Sequence, residues 1–182
     1  LTFSADWTAT LNARVRRMHD INLWVPVSIR KSTGKGSMPL SIQRVLPGLH
    51  RGRTVVITGG SLGIGMEIGR YMALAGARVL LSARGRAQLE AARASIIEEL
   101  RAIGYETPEE RVLILDGIDV GDEEALQRLF DHSMEIFDGE VDFLINNAGL
   151  SGAEEMVVDM TLDAWNRTLN ANLISNYSLI RK

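Results

Sequence analysis

The densest run of residues able to do chemistry is Thr58-Gly59-Gly60-Ser61-Leu62-Gly63-Ile64-Gly65. Its glycines follow the spacing Gly-x-x-x-Gly-x-Gly at 59, 63 and 65. Gly59 lets the chain turn sharply off a strand. Gly63 lets backbone approach a pyrophosphate with no Cβ between them, and Gly65 lets a helix pack close to a sheet. The helix that follows offers free N–H groups and a partial positive charge to phosphates. Glycines alone say little; their place between a β-branched run and a helical pattern gives them meaning. The same stretch matches Gly59-x-Ser61-x-Gly63, the nucleophile elbow of serine hydrolases. That chemistry needs an acid and then a histidine downstream, and the only later histidine is His132, within a predicted helix. Ser61 is therefore read as a hydroxyl facing phosphates or capping the helix.

Other chemistries find little support. The chain has no cysteine, so disulfides, thiolate metal sites and a cysteine acyl-enzyme are excluded from these 182 residues. His19, His50 and His132 are far apart and share no ligand spacing, so no metal is expected. Residues 1–53 carry nine Arg or Lys against Asp6 and Asp20, whereas the remainder is acidic. Such a basic front segment suits docking on an acidic body or meeting a phosphorylated ligand, and equally suits a solvated linker. It lacks interleaved aromatics and a recognisable module, so no nucleic-acid partner is expected. No apolar run approaches the roughly 18 residues that span a bilayer, so no membrane association is expected. The chain opens on Leu1 without a signal-peptide pattern and reads as a piece of a longer cytoplasmic protein.

The elements that must position the glycine turn follow from periodicity. Residues 1–50 read as a linker or extension from a preceding module. Within them, Ala5–Asp20 has a helical stripe, Asn22–Ile29 is an extended arm containing Pro26, Ser32–Pro39 is a connector, and Pro47-Gly48 is a turn. Residues 51–182 alternate strand and helix. Strands are expected at Thr54–Thr58, Arg78–Ser82, Val112–Leu115 and Asp142–Asn146. Helices are expected at Ile64–Ala75 before Gly76, Arg86–Ile103 before Gly104, from the Asp122 cap to about Phe137, and from the Thr161 cap towards Lys182. The regular alternation implies an α/β fold with a doubly wound, Rossmann-type parallel sheet, here truncated.

These residues resemble the short-chain dehydrogenase/reductase family. The match lies in Thr58-Gly59-x-x-x-Gly63-Ile64-Gly65, in Asp119-Val120, in Asn146-Asn147-Ala148-Gly149, and in Trp165 followed by Asn172. The motifs come in family order and spacing over residues 53–182. The resemblance implies cofactor contacts at Thr58, Gly59, Ser61, Leu62, Gly63, Ile64 and Gly65. It implies an adenine contact at Asp119 and Val120, and further contacts at Asn146, Ala148 and Gly149. It gives Asn172 a supporting catalytic role, in which its main chain helps hold a water beside a lysine. The alternatives are a helix-capping Asp119 and an ordinary exposed Asn172.

Cofactor choice has a physical basis. NAD enzymes place a carboxylate at the end of the second strand, where it bonds the ribose hydroxyls and repels a 2′-phosphate. Here that stretch is Leu81-Ser82-Ala83-Arg84. Ala83 stands where the acid would be, and Arg84 can hold a phosphate by a charge-assisted contact, with Ser82 adding a hydroxyl. NADPH is therefore the expected cofactor. The family's NADP branch often has a basic residue before the second glycine, where this chain has Leu62, and an ordinary surface Arg84 with NADH preferred is the competing reading.

The family's proton donor is a tyrosine with lysine four residues later, preceded by a serine. None of the three tyrosines has lysine at that spacing: Ala75 follows Tyr71, Glu109 follows Tyr105 and Arg181 follows Tyr177. The catalytic Ser, Tyr and Lys are thus expected outside this segment, which alone is expected to be inactive.

The stretches Gly152–Met160, Asp163-Ala164-Trp165 and Ala171–Tyr177 are similar, more narrowly, to a reductase module in the C-terminal half of the bacterial bifunctional malonyl-CoA reductases. That likeness implies NADPH-dependent reduction of malonyl-CoA to malonate semialdehyde, on the way to 3-hydroxypropionate. The implied partners are a CoA thioester, other modules of the same polypeptide and further copies in a homo-oligomer. A general short-chain reductase of ketones or aldehydes, and a non-catalytic NADP(H)-binding scaffold, are the other two readings.

Overall fold

Thr54–Thr58 forms β1, a β-branched run buried at every position. It lies inside a parallel sheet with β2 (Arg78–Ser82), β3 (Val112–Leu115) and β4 (Phe143–Ile145), in the order β3-β2-β1-β4. Val56 pairs with Leu80 on one side and Leu144 on the other. The computed structural model describes residues 48–152 and 156–182. The expected helix, arm, connector and linker character of the first 47 residues lie outside the described residues, as do Ala153, Glu154 and Glu155.

Strand alternation divides the core into two layers. Val55, Ile57, Val79 and Leu81 pack against helices α1 (Gly63–Leu74) and α2 (Arg86–Ala102), with Leu89, Ile96 and Leu100 fully buried there. Val56 and Leu80 face the other way, against α3 (Glu123–Ile136) and Leu179. Parallel strands with helices on both faces are what continuous apolar runs of this length require.

Local chemistry sets the helix boundaries. Gly76 and Gly104 take positive φ just after α1 and α2, at +102° and +89°. The Asp122 side chain accepts from Glu124 N, and Thr161 Oγ1 accepts from Ala164 N at 3.2 Å, so both expected caps are present. Several boundaries differ from expectation, among them the end of α2, which stops at Ala102. Helix α1 begins and ends one residue earlier than its pattern suggests, and its N-cap is Leu62 without any side-chain cap, so Ser61 does not cap it. Strand β4 is shorter at both ends: Asp142 turns its carboxylate to Thr54 N at 2.9 Å, and Asn146 and Asn147 have left the ladder. The last helix is not continuous. It runs as α4 (Leu162–Leu169), a π-helical turn (Asn170–Ile174) and α5 (Ser175–Arg181). A π turn inside a helix often marks a functional site.

The chain places β2 and β3 on one side of β1, then returns for β4 on the other. The loops after β1 and β4 therefore diverge at the carboxyl ends of the strands. In an open parallel sheet that point of divergence is where ligands bind.

Candidate functional site

A cleft of about 520 Å³ opens at this divergence. Gly59, Ser61 and Leu62 form one wall, Ala83, Arg84, Gly85 and Gln88 the next, and Ile118, Asp119 and Val120 a third. Asn147, Ala148, Gly149 and Leu150 close it from the β4 side, with Ala171 of the π turn between. Most of the residues singled out in the sequence thus meet at one place, from four loops far apart in the chain.

The glycine turn works in ways only partly expected. Gly59 has φ +67°, and a Cβ there would lie 3.0 Å from Ala148 Cα and from Asn147 Nδ2. Gly63 has φ +56° and open space where a Cβ would point, so backbone can be approached from outside. Ile64 beside it is 75% exposed. With no side-chain cap at Leu62, the first N–H groups of α1 remain free to meet an anion. At Gly65 a Cβ would collide with the Gly59 carbonyl and Asn147 Nδ2, just beyond the ends of β1 and β4. A second close helix-to-sheet approach lies at Gly69, whose Cβ would strike the Leu81 side chain.

Thr58 and Ser82 sit behind the cleft. Thr58 is buried, and its Oγ1 accepts from Asn147 N at 3.0 Å and Ala148 N at 3.1 Å, tying β1 to the end of β4. Ser82 is fully buried, and its hydroxyl donates to the Ile57 carbonyl at 3.1 Å. A hydroxyl already used inside the sheet is not offered to a phosphate, which corrects the expectation for Ser82. Arg84 is exposed at the cleft edge and makes no ion pair among the described residues. Its neighbour Arg86 is engaged, by Glu90 at 2.7 Å and Asp116 at 3.5 Å. Arg84 is therefore the cation free to meet a ligand anion on this wall.

Asn147, part of the matched motif but given no role by it, and Gln88, which no motif marked, both belong to the site. Asn147 Nδ2 donates to the carbonyls of Thr58 at 3.0 Å and Gly59 at 3.1 Å, which fixes the glycine turn against β4. Adjacent residues leaving a strand face opposite ways, so alternation would have separated it from Asn146. Asn146 Oδ1 is buried with no partner among the described residues. Gln88 stands in the first turn of α2, its Oε1 filling the space a Gly85 side chain would need.

Asp119 Oδ1 accepts from Gly121 N at 2.9 Å, so it shapes its own loop, whereas the helix cap is Asp122. Asn172 is exposed and pairs through its side chain with Leu150: N–H to Oδ1 at 2.9 Å and Nδ2 to the carbonyl at 2.8 Å. A Cβ on Gly149 would lie 2.5 Å from Asn172 Oδ1, so a larger residue there would displace the Asn172 carboxamide. The Asn172 carbonyl accepts from Asn176 Nδ2 at 3.0 Å. Tyr177 is 61% exposed, with the Arg181 guanidinium 5.7 Å from its ring centre. Lys182 is held by Glu123 at 3.0 Å and Gln127 at 2.6 Å. No tyrosine–lysine pair enters the cleft among the described residues. His132 lies in α3, on the opposite face of the sheet from α1, so Ser61 has no histidine partner there.

The family model described as short chain dehydrogenase matches residues 53–182. The chain is 33% identical to the L-rhamnose 1-dehydrogenase (NAD(P)(+)) of Azotobacter vinelandii over 129 residues, covering 71% of this chain and 47% of that protein. It is 31% identical to the NADP-dependent (R)-specific alcohol dehydrogenase of Lentilactobacillus kefiri, covering 68% and 44%. The chain thus spans less than half the length of these curated relatives. Among solved structures it resembles the C-domain, with NADP, of a bacterial malonyl-CoA reductase: 50% identity, TM-score 0.71, 73% of this chain and 20% of that one. It also resembles a metagenomic short-chain oxidoreductase in complex with NADP, at 29% identity and TM-score 0.62 over 72% and 54%.

Proposed function

The chain belongs to the short-chain dehydrogenase family, and on that premise we propose that it is the cofactor-holding part of an NADPH-dependent reductase acting on malonyl-CoA. The product would be malonate semialdehyde with release of CoA, a step towards 3-hydroxypropionate. The observation that carries the substrate is the 50% identity to the malonyl-CoA reductase C-domain, well above the identity to the sugar and alcohol dehydrogenases.

The cleft fits a dinucleotide. The open first turn of α1 and the Cβ-free backbone at Gly59 and Gly63 suit a pyrophosphate. Arg84 suits a 2′-phosphate, since it makes no ion pair among the described residues and no carboxylate stands at Ala83 to repel it. Asp119 and Val120 line the adenine side, and Asn147, Ala148, Gly149 and Leu150 the nicotinamide side. Asn146 stands at the end of β4 just before this wall, its Oδ1 buried without a partner among the described residues, and Asn172 fixes Leu150. When bound, the cofactor supplies the hydride that the thioester carbonyl carbon accepts. The proton donor would come from a Ser, Tyr and Lys on a further segment of the polypeptide, of which residues 1–50 would form an inter-module linker. We further propose that the whole protein works in the cytoplasm as a homo-oligomer.

The test follows NADPH oxidation by the complete polypeptide with malonyl-CoA as substrate. Turnover should be well above that with NADH. Turnover of simple ketones or aldehydes without malonyl-CoA turnover would instead establish the general reductase that the names of the curated relatives favour. Dinucleotide binding with no turnover of either would leave a scaffold module.

A further inference from the structure

We propose that Asn170 is a positioning residue that sets the adenine-side wall of the cleft from outside it. The proposal rests on the reading of the cleft as a dinucleotide site. Asn170 opens the π turn and does not line the cleft. Its Nδ2 reaches across 49 residues of sequence to donate to the Gly121 carbonyl at 2.8 Å. The N–H of that same Gly121 donates to Asp119 Oδ1 at 2.9 Å, and Asp122 N donates to the Asp119 carbonyl at 3.0 Å. Asp119 is thus held from both its side chain and its main chain, and Asn170 holds the Gly121–Asp122 peptide, whose N–H makes the second of these bonds.

The geometry of the π turn explains the arrangement. Residues two apart on a helix point to nearly opposite sides. Asn170 therefore reaches the loop after β3, while Asn172 reaches the loop after β4, where it binds Leu150. Ala171 between them is 3% exposed and forms the cleft wall itself. One turn of helix so fixes the separation of two loops that meet the two ends of a dinucleotide. The Asn170–Gly121 bond is solvent-exposed, so its loss should cost little folding stability and act mainly on Asp119.

Two variants of the complete protein test this. Asn170→Asp keeps the shape but replaces the donor with an acceptor facing the Gly121 carbonyl. Gly121→Ala perturbs the same link from the other end, because a Cβ there would lie 3.3 Å from Asp119 Oδ1 and 3.8 Å from Asn170 Nδ2. The affinity for adenosine 2′,5′-bisphosphate and for NADPH is measured by calorimetry, and folding by circular dichroism. Both affinities should weaken roughly five- to tenfold, the size expected for one lost hydrogen bond, with larger effects on affinity than on turnover at saturating NADPH. Unchanged affinity in either folded variant overturns the proposal. An equal fall in turnover and affinity, or unfolding of both variants, also overturns it, because the role would then be structural. If the unaltered protein binds neither ligand, the dinucleotide reading itself has failed.

Discussion

The carboxamide of Asn172 brackets the backbone of Leu150, accepting from its N–H at 2.9 Å and donating to its carbonyl at 2.8 Å. The pair joins the π turn to the loop that closes the cleft from the β4 side. Asn172→Ala should release that loop. Both lost bonds are exposed, so the thermal midpoint should fall by only a few degrees, in line with about 1 kcal/mol. Turnover of malonyl-CoA should fall at least about tenfold, as expected when a group beside the reacting centre loses its position. Parallel steady-state kinetics and thermal melts check the split; a variant with full turnover would remove Asn172 from the site.

Arg84 carries the expected cofactor preference. Arg84→Ala should weaken NADPH binding by roughly ten- to a hundredfold, the range for a charge-assisted phosphate contact of about 1.5–3 kcal/mol, and leave NADH nearly unaffected. Ala83→Asp should move the preference further, by placing a carboxylate where it bonds ribose hydroxyls and repels the 2′-phosphate. Titration of both cofactors into both variants measures the change. Equal effects on NADPH and NADH would place the 2′-phosphate elsewhere.

Gly65 sits against the Gly59 carbonyl and against Asn147 Nδ2, which two hydrogen bonds hold in place. Gly65→Ala must push the glycine turn away from β4 and break the Asn147 bonds to Thr58 and Gly59. The expected cost is roughly 1–3 kcal/mol of stability, read from urea unfolding, together with loss of dinucleotide binding. Gly104→Ala offers a contrast. Nothing lies within 4 Å of its Cβ position, so it should suffer only the strain of φ +89° and keep the binding.

The base of the sheet should give the fold an acid-sensitive joint. Asp142 takes the Thr54 N–H at 2.9 Å and the Arg53 guanidinium at 2.5 Å. Burial by itself would raise its pKa; the Thr54 and Arg53 contacts outweigh this and hold it below the ordinary value of 3.8. A depressed carboxyl stabilises the fold fully above the unfolded value, and the contribution is lost as pH falls through the folded one. His50 is also lowered, by burial against Tyr71 and Phe143 and then by Arg53. Its protonation should oppose folding in the window just below its ordinary 6.5. Urea midpoints across pH should therefore fall in two stages. His50→Phe should flatten the upper stage and Asp142→Asn the lower; unchanged profiles would show that neither group couples to folding.

The strands, the helix caps and the parallel doubly wound class were legible in the chain itself. Thr54–Thr58, Gly76, Gly104, Asp122 and Thr161 act through local rules of side-chain branching, φ and capping, which need no knowledge of distant residues. The glycine turn, Asp119, the Asn146–Gly149 run and Asn172 were recognisable as motifs because their spacing is preserved along the sequence. Tertiary structure alone decided what each side chain touches. Ser82 faces the sheet interior because the register of β2 on β1 puts its hydroxyl at Ile57. Gly65 meets Asn147, and Asn147 meets Thr58, across almost ninety residues. Asn170, at the start of the π turn, reaches Gly121 across 49 residues. Such contacts are set by how β4 and the final helix pack onto the first half of the fold. Period and composition report the conformation of a segment, and they carry no measure of which distant atom lies opposite.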